Sequence, residues 1–215
     1  MRRLLYIPVN SKTEDQSVSK TVGRAFVDTW MERTSEYEMV ELDLYREYIP
    51  ELNAKFFRSR AQLVTGEAYA ALGQDEQGAV DRINQLCDQF LSADMYVIAA
   101  PMWSVFFPAI LKRYLDCVIQ HGKVIYVSSE KVEGLLGNKE RNMVYIQSSG
   151  GVYPALVSAK FNHGVNYLHD IFKFLGIQRF EKIMVEGVDT PKVGRDKAIE
   201  KARGDIDTVI GKLLP

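Results

Sequence analysis

Apolar residues recur along this chain at two spacings. Five short runs are apolar at most positions: residues 4–9, 39–44, 95–100, 143–147 and 182–185. The first and third are apolar almost throughout, as parallel strands covered on both faces require. Between the runs the spacing widens. Val18, Val22, Phe26 and Trp30 recur every four residues within 17–33, and helices are likewise predicted over 76–91, 108–120, 156–175 and 192–213. Strand and helix alternate strictly, which predicts right-handed crossovers and a parallel sheet with helices on both faces. The expected class is α/β, with a doubly wound five-stranded parallel sheet. Five strands suit the order 2-1-3-4-5, which alternation itself leaves open.

Two segments exceed this minimal alternation. Residues 45–75 form a long connection with helical character around 56–71, and a stretch of that length should pack somewhere or cover a site. Residues 121–142 carry Tyr126, Ser128, Ser129, Gly134 and Gly137 ahead of the fourth strand. No repeat, low-complexity tract or linker interrupts the chain, so one domain over 1–215 is expected.

Composition narrows the function. With 215 residues, 47% hydrophobic and 26% charged, the chain is long enough for a large core. Wholesale disorder, collagen-like repeats and a disulfide-stapled mini-protein are excluded. The 27 basic and 28 acidic residues give a net charge of −1, and no Lys/Arg run exceeds a pair. A nucleic-acid footprint is therefore missing. Cys87 and Cys117 form no C-x-x-C and read as buried, reduced thiols. The apolar run at 4–9 is too short for a signal peptide and no run approaches a membrane span, so a cytoplasmic protein is expected. His121, His163 and His169 lack the four-residue spacing of a helical metal pair. Each reads as a structural histidine, although His121 follows helix 108–120 closely enough to approach a site.

Ligands bind doubly wound sheets at the carboxyl edge, where strand order switches. The loops after strands one, three and four should line it, and all three are unusual. The first, residues 10–19, runs from Asn10 into a helix at Ser17-Val18-Ser19, where hydroxyls and free N–H groups suit a phosphate. It has no glycine, so it is neither G-x-G-x-x-G nor a P-loop; simple N-capping by Ser17 is the plainer alternative. The second, residues 101–108, carries Met102, Trp103, Ser104, Val105, Phe106 and Phe107, and its Trp and two Phe would be costly to leave exposed. Such apolar bulk must cover a ligand, another subunit or itself. The third holds Ser148, Ser149, Gly150, Gly151 and Tyr153, and its paired glycines let backbone approach a ligand or simply form a turn.

These residues carry a resemblance that spans nearly the whole chain. S-x-S at 17–19, A-A-P-M-aromatic at 99–103 and L-K-x-Y-x-D at 111–116 are followed by H-G at 121–122 and E-G-L at 133–135 near Lys139. Then come S-x-G-G at 148–151, F-L-G-I at 174–177 and E-G at 186–187. In this order they resemble the FMN-dependent NAD(P)H azoreductase and quinone reductase family, of flavodoxin-like fold. The resemblance implies that Asn10, Ser17, Val18 and Ser19 hold the FMN phosphate. Met102, Trp103, Ser104 and Val105 would border the ribityl chain and ring, and Ser148, Ser149, Gly150 and Gly151 would meet the pyrimidine edge. Phe106, Phe107, Tyr126 and Tyr153 are candidate walls for a flat acceptor.

The implied reaction is ping-pong: NADH or NADPH gives hydride to flavin N5, and a quinone or azo compound then takes its place. The cofactor carries the chemistry, so no catalytic residue and no metal are expected. Members are typically homodimers with sites near the interface, which gives 45–75 a candidate role over the partner's site. This chain departs at Ser104, where members often carry Asn, at Ser149, where a basic residue is common, and in a first loop one residue longer. A serine hydrolase would need Gly-Asp-Ser near the first strand and Asp-x-x-His near the end, and both are missing. A flavodoxin-type electron carrier would be strongly acidic with T-x-T-G-x-T. A ligand-binding module without flavin turnover remains the alternative.

Overall fold

In the computed structural model, which describes residues 1–153 and 161–214, every main-sheet pairing is parallel. In chain order the elements are β1 (Arg2–Pro8), α1 (Val18–Arg33), β2 (Tyr37–Glu41), β3 (Phe57–Ser59) and β4 (Gln62–Leu63). Then come α2 (Glu67–Ala70), α3 (Gln74–Ser92), β5 (Met95–Pro101), α4 (Ala109–Val118), β6 (Ile125–Val127) and β7 (Val132–Gly134). The chain continues with β8 (Asn142–Ser149), α5 (His163–Leu175), β9 (Arg179–Glu186) and α6 (Gly194–Leu213). The five-stranded sheet runs β2-β1-β5-β8-β9, which is the expected order 2-1-3-4-5. Leu4 pairs with Met95, Met95 with Asn142, and Asn142 with Arg179.

The alternation of side chains along each strand divides the core between two faces. Leu5, Ile7, Tyr96 and Ile98 pack with α3, α4 and α5, while Leu4, Tyr6, Val97 and Ala99 pack with α1 and α6. All seven residues of β5 are buried, which is why that run lacks polar interruptions. The outer strands are less buried: after Tyr37, β2 alternates half-buried with exposed positions, and β9 alternates buried with half-buried ones only over its last four residues. The strand expected over 39–44 is present but sits two to three residues earlier, at 37–41, and Leu42 and Leu44 enter the core after β2 has ended.

The long connection is built differently from its sequence expectation. Residues 56–71 are not one helix; a 3-10 turn at Ala54–Phe56, the β3–β4 hairpin and the four-residue α2 occupy them. Ile49, Phe56, Leu63 and Val64 are buried, so the segment does pack on the core. Residues 121–142 form the β6–β7 hairpin. A Cβ on Gly134 would lie 2.2 Å from Phe174 O, and Gly176 ends α5 at φ +109° against Gly137. The sequence landmarks at 133–137 and 174–177 are thus one contact. Of the helix expected over 156–175, residues 156–160 lie outside the described residues.

Candidate functional site

A cavity of about 400 Å³ opens at the carboxyl edge, within the range of small-molecule sites. It lies at the β1/β5 switch, where the two following loops leave for opposite faces of the sheet.

At one end stands the loop after β1. The Ser17 N–H donates to Thr13 O at 3.0 Å and Glu14 O at 3.2 Å, turning the chain into α1. Ser17 Oγ accepts from Lys20 N at 3.4 Å and lies 3.3 Å from Ser19 Oγ. The first-turn amides that follow have no intrahelical acceptor. Lys20 holds this loop in shape. Its ammonium donates to Asn10 O and Lys12 O, each at 3.0 Å, and to Asp43 Oδ2 at 2.8 Å. Those three bonds use all three of its donors. Both partners of the ion pair are buried, and Asp43 Oδ1 also accepts from Tyr45 N at 3.0 Å.

At the other end the loop after β5 folds on itself. Trp103 and Phe106 exchange backbone hydrogen bonds at 2.9 Å around a two-residue turn whose corners are Ser104 (φ +49°) and Val105 (φ +57°). Side chains seldom adopt that conformation, and Val less than most. Trp103 is 46% exposed and meets Tyr45 edge-on at 6.5 Å between ring centres. Partial burial raises the Tyr45 hydroxyl above its ordinary pKa.

The floor is tied across strands. Met102 N donates to Ser148 O at 2.7 Å, and Val188 N to Ser149 O at 3.2 Å. Asp189 N donates to Gly150 O at 3.1 Å. A Cβ on Gly150 would lie 2.4 Å from Asp189 Oδ2, so a side chain there would have to displace that carboxylate. Next to the lining Ser148, Gln147 is fully buried with neither amide atom hydrogen-bonded among the described residues. It is a buried polar group for which the described residues supply no partner.

Of the residues expected to hold a cofactor, Asn10, Ser17, Val18, Met102 and Trp103 line the cavity. So do Ser148, Ser149 and Gly150. Ser19 is wholly buried beneath Ser17, while Ser104 and Val105 form the turn corner outside the lining. Gly151 sits behind, where its carbonyl accepts from Ser149 Oγ at 3.0 Å. The candidate acceptor walls do not line this cavity. Phe106 and Phe107 stack on each other at 4.0 Å and against Tyr167, and Tyr153 lies beside Gly151. Tyr126 lies on the β6–β7 hairpin with His121, whose Nδ1 accepts from Val127 N at 3.1 Å. His121 is therefore a brace of that hairpin. Lys139 likewise works elsewhere, binding Asp94 Oδ1 at 2.6 Å beside the N-terminal end of β5. No cluster of three or more potential metal ligands occurs among the described residues.

Sequence reasoning missed Lys12, Val188, Asp189 and Arg195, which also line the cavity. The last three follow β9, and the topology held the signal: in a doubly wound sheet the loop after the fifth strand reaches the same edge.

The family model described as a flavodoxin-like fold matches residues 2–210. The FMN-dependent NADH:quinone oxidoreductase 1 of Clostridium acetobutylicum is 53% identical over 213 residues, covering 99% of this chain and 96% of that one. The FMN-dependent NADH:quinone oxidoreductase of Ruminiclostridium cellulolyticum is 48% identical, covering 99% and 100%. Among solved structures, an azoreductase from Bacillus anthracis str. Sterne superposes with a TM-score of 0.82 at 26% identity, covering 99% and 100%.

Proposed function

We propose, from the premise that the chain belongs to the flavodoxin-like family that includes these oxidoreductases, that it is an FMN-dependent NADH:quinone oxidoreductase. It works as a cytoplasmic homodimer that also accepts aromatic azo compounds. One observation carries the reading. A single cavity joins a phosphate-type helix start, with Ser17 and open amides, to an apolar wall of half-buried Met102 and exposed Trp103. The residues fit FMN, which has an anionic end and a flat end.

FMN, when bound, supplies the redox chemistry: hydride from NAD(P)H enters at flavin N5 and leaves to a quinone or azo compound in a ping-pong sequence. The chain binds, orients and excludes water. Ser17 and the first-turn amides of α1 take the phosphate, while Lys20 keeps their loop rigid. Trp103 would border the ring system, and the backbone at 148–150 would meet the pyrimidine edge. N–H donors fixed there stabilise the negative charge that gathers on reduction. An apolar depression of about 500 Å³ that includes Leu52, Phe57, Ile125 and Val132 supports the dimer as a surface for a second copy.

The test is steady-state turnover of the FMN-loaded protein, varying NADH and a benzoquinone together. Parallel double-reciprocal lines are expected. Intersecting lines would overturn the ping-pong sequence, and no turnover with either acceptor class would overturn the assignment. Light scattering should give twice the 24.5 kDa chain mass; a monomer would remove the dimer from the account.

A further inference from the structure

Three charged side chains line the cavity: Lys12, Asp189 and Arg195. They are not equivalent. The Lys12 ammonium has no hydrogen bond among the described residues and its residue is exposed, and the Asp189 carboxylate bears on Gly150 at the floor. Arg195, in contrast, is partly buried and held in place. It is the second residue of α6, the last helix of the chain, yet its guanidinium reaches back to the loop after β1. Nη1 donates to Gln16 O at 3.3 Å and Nη2 donates to Asp15 O. These are the two carbonyls immediately before Ser17.

The geometry has two consequences. With the carbonyls of 15 and 16 turned toward Arg195, the guanidinium charge is fixed beside the donors of Ser17 and the α1 amides. Those two bonds also leave part of its five-donor fork free. Arg195 has no carboxylate partner among the ion pairs of the described residues, whereas the nearby Lys20 charge is consumed by Asp43 and two carbonyls. A phosphate monoester brings a charge of about −1.5 to −2. The hydroxyls and amides of the helix start carry no formal charge to meet it. Arg195 is the anchored cation that can.

We propose that Arg195 is a ligand of the cofactor's phosphate, delivered from the last helix, and that it makes this cavity select FMN over riboflavin. The inference rests on the FMN reading above and deepens it. Charge-assisted hydrogen bonds of this kind change affinity by roughly 10- to 100-fold.

The test compares FMN with riboflavin, which shares the ring and ribityl chain but lacks the phosphate. Flavin-free wild type, Arg195→Gln and Arg195→Lys are titrated with each flavin, following fluorescence quench at low and high salt. Arg195→Gln should weaken FMN by about 10- to 100-fold and riboflavin by less than about twofold. It should also flatten the salt dependence of FMN binding, and Arg195→Lys should recover part of the loss. Equal weakening of both flavins would overturn the proposal, since Arg195 would then only hold the loop. An unchanged FMN affinity would overturn it as well. Wild type that binds neither flavin would overturn the FMN reading itself, a failure distinct from the other two.

Discussion

At the end of the cavity formed by residues 10–20, the polar side chains of Asn10, Ser17, Ser19 and Lys20 are buried, and Lys20 is matched to three acceptors. At the end formed by residues 101–107, apolar groups are exposed and the backbone is bent against its preference. The first end holds a buried lysine with three acceptors, a capping serine and an arginine anchored from α6. The second holds a half-exposed Trp103 and two side-chain-bearing residues in the left-handed region. The difference follows from the ligand chemistry each end suits. An anion needs donors fixed beforehand, because turning them toward it later costs affinity. A flat ring needs apolar surface that water already covers poorly, and strain is stored where the scaffold can tolerate it.

The contrast breaks most severely at Lys20. Lys20→Met leaves Asp43 buried beside an apolar side chain, which should cost about 3–5 kcal/mol in urea unfolding and abolish tight FMN binding. A loss below about 1 kcal/mol would show the pair to be dispensable. The matching change at the other end, Trp103→Ala, should separate binding from folding. With the ring 46% exposed, stability should move by less than about 1 kcal/mol, while FMN affinity falls about tenfold. Equal effects on both would erase the distinction between the ends.

Strain at the ring end gives a smaller effect of opposite sign. Replacing Ser104 and Val105 with Asn and Gly, residues that favour this turn, should raise the thermal midpoint by the equivalent of about 1 kcal/mol. No gain would mean the turn is relaxed as it stands. The smallest expected effect concerns the thiols. Burial pushes both Cys87 and Cys117 up to about 12, so both stay protonated at neutral pH. Neither should react with a disulfide reagent at pH 8 until the protein unfolds, and neither should add a pH dependence between about 6 and 9. Rapid labelling of native protein would contradict their burial.

How much of this was legible depended on whether a residue's role was local. β1 and β5 announce themselves because strands buried on both faces have no polar positions. Ser17 could be read as a helix start from its neighbours alone. The segment at 56–71 misled because its apolar residues, spaced like a helix face, instead cover the core from a hairpin and a 3-10 turn. Lys20 looks like any surface helix lysine, since only the fold brings Asp43 to it across 23 positions. Arg195 carries no motif at all, and its partners lie 179 and 180 positions away. Topology, rather than pattern, places it.

On the proposed reading, the carboxyl-edge cavity holds FMN with its phosphate against residues 10–19. The most direct test is titration of flavin-free protein with FMN, following the quench of flavin fluorescence, beside Ser17→Ala and Gly150→Val. Ser17 supplies the helix cap, and a side chain on Gly150 meets Asp189. About one FMN per chain should bind, at or below about 1 μM, with both substitutions weakening it. No quench at tens of micromolar, about 10–50 μM, or tight binding indifferent to both changes, would contradict that reading.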